Sequence, residues 1–264
     1  MKAKPAYRTY WMKTIGLISF ITLVLFTISC QQNTDFQKAA LSTYRHDLEI
    51  GVSAKDLLTS TKYKSLVVEI QYLNSDFTPD TRVSDHLKAL LEQRLNKPGG
   101  ITIVTKKIQP STQYFGIEQV KSIEETSRTE FTQGNRLAVY VLYLDGYYAT
   151  DSLVLGAAYR NTSIVLFGKR INEYAAGDSL KKLVFDATII EHEFGHLLGL
   201  VGQTTPEIAP HKDAENGNHC NNMDCLMYNT FLDSNSGDQY VGGLTAVPKL
   251  DSACVADLRG NGGK

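Results

Sequence analysis

From residue 65 onward the chain alternates between short apolar runs and segments with helical spacing. SLVVEIQYL, residues 65–73, is β-branched and partly alternating, which predicts a strand. From Thr81 to Asn96 the apolar residues Val83, Leu87, Leu90, Leu91 and Leu95 recur at helical intervals, and Pro98-Gly99-Gly100 ends the helix. ITIVTKKI (101–108) predicts a second strand, and residues 117–131 a more polar helix ending near Gly134. LAVYVLYL (137–144) is uninterrupted, the pattern of a central strand covered on both faces. LVLGAAY and TSIVLFG follow, joined at Arg160-Asn161 like a hairpin. Strands alternating with helices and closing on a hairpin define an α/β (α+β) sandwich with a mixed sheet.

Leu183 to Leu200 carries the strongest helical pattern. Leu183, Ala187, Ile190, Phe194, Leu197 and Leu198 form one stripe, and Phe185, Ile189, His192 and His196 form another. A helix apolar on nearly every side belongs in the centre of a domain. Two histidines placed there need partners, because a buried ring nitrogen without one is costly.

The N-terminal part reads differently. Lys2, Lys4, Arg8 and Lys13 form a basic leader, followed by an apolar run from Ile15 to Ile28 and then Ser29-Cys30. The run is short for a membrane span, which needs ~20 residues, and suits a signal-peptide core. TISC resembles a lipoprotein processing site, with Thr27 where Leu is usual, so cleavage is expected to leave Cys30 as a lipidated N-terminus. The expected organisation is a signal peptide over 1–29, a tether over 30–52, and one domain over 53–264, opened by a short helix that Ser53 caps. The protein is expected to be exported and held to a bacterial membrane, on its periplasmic face or at the cell surface, through the lipid only.

The formal charge is −1, and removing residues 1–29 takes away four basic and no acidic residues, leaving −5. No basic stripe remains for nucleic acid. Export also changes how the cysteines read: in an oxidising compartment Cys220 and Cys225 are a candidate disulfide, with Cys254 left as a small buried hydrophobe.

The chemistry lies in EHEFGHLLGL, starting at Glu191. Residues four apart on a helix share a face, so His192 and His196 can reach one zinc ion at ~2.0–2.1 Å. Glu193 is turned off that face and cannot be a third ligand, but it can take a proton from a zinc-held water. Gly199, three residues after His196, can adopt a left-handed conformation and turn the chain back toward the metal. Downstream, HCNNMDCLMY (219–228) puts His219 eight residues before Met227, which Tyr228 follows.

Together, HEFGHLLG and HCNNMDCLMY resemble the metzincin clan of zinc peptidases, whose motif is H-E-x-x-H-x-x-G-x-x-H followed by a methionine turn. The second segment is similar to archaemetzincins, and its LMY ending to matrix metalloproteinases. The resemblance implies a mixed sheet with an antiparallel edge strand above a central active-site helix. It implies one catalytic Zn2+ held by His192 and His196, with Glu193 as general base, Gly199 as the turn and Met227 as the floor beneath the metal. It also implies a peptide or protein substrate bound extended along Leu155–Tyr159, cleaved by a monomeric endopeptidase. The competing reading is a catalytically restricted or vestigial peptide-binding lipoprotein on the same fold.

Two features depart from the family. Residues 200–218 separate Gly199 from His219, and Gly202 stands where the contiguous motif places its third histidine. His219 is the expected third ligand, because it keeps the spacing to Met227, with His211 as the alternative. Archaemetzincins complete a second zinc site with later cysteines; only Cys254 is present here, so the Cys220–Cys225 disulfide is expected in preference to a second metal. His211, Asp213 and Glu215 in HKDAENGN lack the ligand count of a calcium loop and read as a polar loop shaping the cleft. YNTFLD (228–233) is expected to wall the pocket on the leaving-group side.

Overall fold

The computed structural model describes residues 42–73, 78–109, 114–229 and 244–264. The leader, Cys30, the tether up to residue 41, and residues 230–233 of the expected pocket wall lie outside them. Residues from Thr43 on form one compact unit.

Its elements, in chain order, are α1 (Ala54–Leu58), β1 (Ser65–Tyr72), α2 (Thr81–Arg94), β2 (Ile101–Lys107), β3 (Tyr114–Phe115), α3 (Ile117–Ser127), β4 (Arg136–Leu144), β5 (Tyr147–Tyr148), β6 (Gly156–Arg160), β7 (Ser163–Phe167), α4 (Gly168–Ala175), α5 (Ser179–Leu197) and α6 (Ser252–Gly260). The main sheet has the order β2-β1-β4-β7-β6, and β3 pairs with β5 in a separate two-stranded sheet. β2, β1, β4 and β7 are parallel; β6 runs antiparallel to β7 and forms an edge.

Burial explains the strand compositions. β1 and β4 lie inside the sheet and are buried on both faces, so their sequences are nearly continuous apolar runs. Val68, Ile70, Val139, Val141 and Ile164 face a core shared with α2 and α5, including Leu87, Leu91, Ile190 and Phe194. Tyr140, Leu142, Val165 and Phe167 face the opposite side, against Phe115 and Val120. Each fully buried side chain of this size contributes about 1.5–3 kcal/mol. Helix starts are fixed by aspartates: Asp80 accepts from the Arg82 N–H, Asp178 from Leu180 and Lys181, and Asp251 from Cys254. Among the described residues, no helix is long and apolar enough to cross a membrane.

Two expectations about where elements begin and end need correction. Residues 43–52, assigned to the tether, pack on the domain. Tyr44 and Ile50 lie against the core, and buried Asn161 bonds the segment through its side chain and backbone. Weak periodicity hid this, because the segment is held by polar contacts. α3 stops at Ser127, short of 131, because the next backbone N–H groups, of Thr129 and Glu130, donate to buried Glu69 on β1. Finally, α4, α6 and the β3–β5 pair carry too short or too mixed a pattern to be legible.

Candidate metal centre

α5 presents His192 and His196 one turn apart, with their Nε2 atoms 3.1 Å from one another. The helix ends at Leu197, and Gly199 turns it with φ +72°. The Gly199 carbonyl accepts from the Thr204 and Thr205 N–H groups, and a Cβ there would come within 2.3 Å of Thr204 Oγ1. The chain then runs through the 200–218 segment and returns with His219, whose ring centroid lies 5.3 Å from that of His192 and 5.2 Å from that of His196. Ligand nitrogens of all three histidines fall within 4.8 Å of one another.

Two of the three side chains are oriented by backbone carbonyls that the sequence did not reveal. His192 Nδ1–H donates to the Leu226 carbonyl at 2.7 Å, and His219 Nδ1–H to the Asn216 carbonyl at 2.7 Å. Both bonds fix the tautomer that leaves the Nε2 lone pair toward the centre. His219 Nε2 is buried with no hydrogen-bond partner among the described residues. Burial pushes the pKa of His192 down to about 3, and those of His196 and His219 below the ordinary imidazole value. Three neutral rings with converging lone pairs are the donor set that a zinc ion takes. The residues present therefore fit the metal.

Met227 closes the site from below. Gly195 is the residue of α5 that faces it: a Cβ on Gly195 would stand 2.1 Å from Met227 Sδ, so only glycine lets the methionine approach. The Cys220 N–H donates to the Met227 carbonyl at 2.7 Å, tying the neighbour of His219 to the methionine turn, and the Tyr228 N–H closes that turn on the Cys225 carbonyl.

Glu193 is buried beside the histidines. Its Oε2 accepts from the Ala158 N–H of edge strand β6 at 2.6 Å, and its Oε1 has no partner among the described residues. Burial pushes its carboxyl pKa up to about 8, against the lowering effect of the Ala158 bond. The expected substrate strand, Leu155–Tyr159, coincides with β6 and its entry, so the edge strand and this carboxylate are in direct contact.

His211, the alternative third ligand, lies elsewhere. Its Nε2–H donates to Asp257 at 2.7 Å, and its Nδ1 points toward Cys220 and Cys254. The expected Cys220–Cys225 disulfide is not formed: Cys220, Cys225 and Cys254 are free and buried. Cys225 Sγ lies 3.6 Å from Cys254 Sγ on α6, a docking that no local spacing encodes. Asp213 is satisfied within its own loop by Glu215 and Asn216, in keeping with a polar loop.

No protein-family profile matches the sequence, and no curated protein matches it. The fold is a mixed α/β domain of the archaemetzincin kind. Among solved structures, archaemetzincin from Methanopyrus kandleri aligns over 76% of this chain and 96% of its own, with a TM-score of 0.50 and 15% sequence identity.

Proposed function

We propose that the protein is a zinc-dependent endopeptidase. The observation that carries this reading is the meeting of three histidine donors with a buried carboxylate whose Oε1 is uncommitted, under a sheet edge. The archaemetzincin-like fold and the interrupted metzincin-like motif support the same reading. His192, His196 and His219 would hold the ion. Zinc, when bound, supplies a Lewis acid that polarises a carbonyl and acidifies a water toward a pKa of ~7. Glu193 Oε1 takes the proton of the attacking water and returns it to the departing amine. The Ala158 N–H fixes Oε2, so proton traffic is confined to Oε1. β6 receives the peptide in extended form by backbone pairing. A pure peptide binder would need no proton acceptor at this position.

Profiling cleavage of a peptide library with and without chelator tests the proposal. Cleavage that chelator abolishes and zinc restores is expected. A zinc-loaded protein that binds peptides and cleaves none would replace this reading with the binding one. Export and anchoring through Cys30 belong to the same proposal, supported by the basic leader, the apolar run and Ser29-Cys30. A fatty-acid probe should label the wild type and not Cys30→Ala; equal labelling overturns the anchor.

A further inference from the structure

α2 and the stretch 247–250 face each other across a cavity of about 280 Å3 that Glu191 of α5 also lines. Small-ligand sites start near ~300 Å3, so this volume suits a small molecule. Glu191 opens the histidine motif, yet the proposed reaction makes no use of it. On the α2 side the lining runs from His86 to Arg94, ~12 Å along the helix, and Leu90, Val247 and Leu250 supply apolar walls. We propose that this cavity binds a small organic acid, a carboxylate carried on an apolar chain, with the carboxylate at Arg94.

The charges favour an anion and set its direction. Burial, and then the neighbouring Arg259 guanidinium, hold Arg94 below the ordinary arginine value. The Arg94 Nε is buried with no partner among the described residues, where no carboxylate pairs with either Arg94 or Arg259. A carboxylate against this guanidinium would offset both charges, and the planar fork of arginine matches its two oxygens. Lys249, which also lines the cavity, adds to the positive side. Toward the other end Glu191 Oε1 accepts from His86 Nδ1–H at 3.0 Å. Glu191 would repel a second carboxylate, so the ligand's head belongs at Arg94 and its chain over the apolar walls.

The walls are held in place by contacts of their own. Leu250 is buried in the core, and the Lys249 carbonyl accepts from the Leu226 N–H at 2.9 Å. α2 is anchored through fully buried Leu87 and Leu91, and the Arg94 carbonyl accepts from the Lys264 N–H at 2.8 Å. A ligand therefore enters a preformed cavity and has little to order. Glu191 and Glu193 are two residues apart, which turns them to nearly opposite sides of α5. The cavity is thus separate from the β6 edge, and binding there does not rest on the peptidase reading.

The test titrates octanoate into the full chain by calorimetry. Wild type should bind one octanoate per chain, before and after chelation, because the site needs no metal. Arg94→Gln should weaken binding about 10–100-fold, the worth of a hydrogen bond to a charged group. Arg259→Gln should weaken it by a smaller factor. Octanoate should raise the thermal midpoint of wild type and not that of Arg94→Gln. Acetate, which lacks the chain, and octanamide, which lacks the charge, should each bind at least about tenfold more weakly. If Arg94→Gln fails to fold, Arg259→Gln and the wild-type titrations decide. Binding that chelation abolishes would put the carboxylate on a metal at the histidines and overturn the proposal. Acetate or inorganic phosphate binding as tightly as octanoate would mean an adventitious ion only, which overturns it too. No binding of any probe would mean that other residues of this chain fill the cavity, and the proposal fails.

Discussion

Two buried carboxylates, Glu69 and Glu193, sit in the same domain under opposite regimes. Glu69, in the middle of β1, accepts from the Thr129 N–H at 2.9 Å, the Glu130 N–H at 2.8 Å, the Thr129 hydroxyl at 2.5 Å and the Gln71 amide at 2.8 Å. Glu193 accepts from one backbone N–H, and its other oxygen has no partner among the described residues. Both are almost wholly buried. A buried carboxylate saturated with donors is spent on structure; one left under-coordinated costs stability and keeps an oxygen for chemistry.

Replacing each in turn should separate the two roles most sharply. Glu193→Ala is expected to cut peptide cleavage about 10²–10⁴-fold, the usual worth of a positioned proton acceptor. Zinc content should stay at the wild-type value and the thermal midpoint should not fall, measured by metal analysis and calorimetry. Activity within about tenfold of wild type would mean that the proton goes elsewhere.

Glu69→Ala should do the opposite. It strands the Thr129, Glu130 and Gln71 donors, so urea unfolding should lose about 3 kcal/mol while activity per folded molecule is kept. Thr129→Val removes the hydroxyl donor alone and should cost about 1 kcal/mol in the same measurement. If it costs as much as Glu69→Ala, the donors are not shared as described.

The smallest expected effect is a pH slope on the Glu69 side of the sheet. His46 accepts from the Thr132 N–H and bonds the Thr162 hydroxyl; burial, aided by Arg128, lowers its pKa from 6.5 to about 2. Because the folded pKa lies below the unfolded one, the contribution is intact above pH ~6.5. It is lost as pH falls from there toward 2, since the unfolded chain then binds the extra proton. Denaturation midpoints at pH 7 and pH 5 should differ less in His46→Gln than in wild type; equal slopes would remove His46 from the account.

Much of this was readable in the chain and some could not be. β1, β4 and the β6–β7 hairpin announced themselves because burial on both faces, or a polar break between apolar runs, is written locally. The pairing of His192 with His196 follows from helical spacing. The distance to Met227 was what distinguished His219 from His211 in sequence, and the structure places His219 beside the other two histidines. By contrast, Leu226 O, Asn216 O and the Ala158 N–H are backbone atoms with no residue-type signature. Gly195 is informative only once Met227 is known to lie against it. The thiol cluster failed to show because Cys254 arrives on a helix whose docking depends on tertiary contacts 29 residues beyond Cys225.

Asn161 gives the molecule a mechanical character. Its side chain and backbone clasp Leu48, Arg45 and Ser53, so the segment entering the domain is sewn to the turn between β6 and β7. Tension applied through the preceding chain therefore arrives at the tip of that hairpin, whose first strand touches Glu193. The clasp joins the segment entering the domain to the hairpin whose first strand lies beside the histidines.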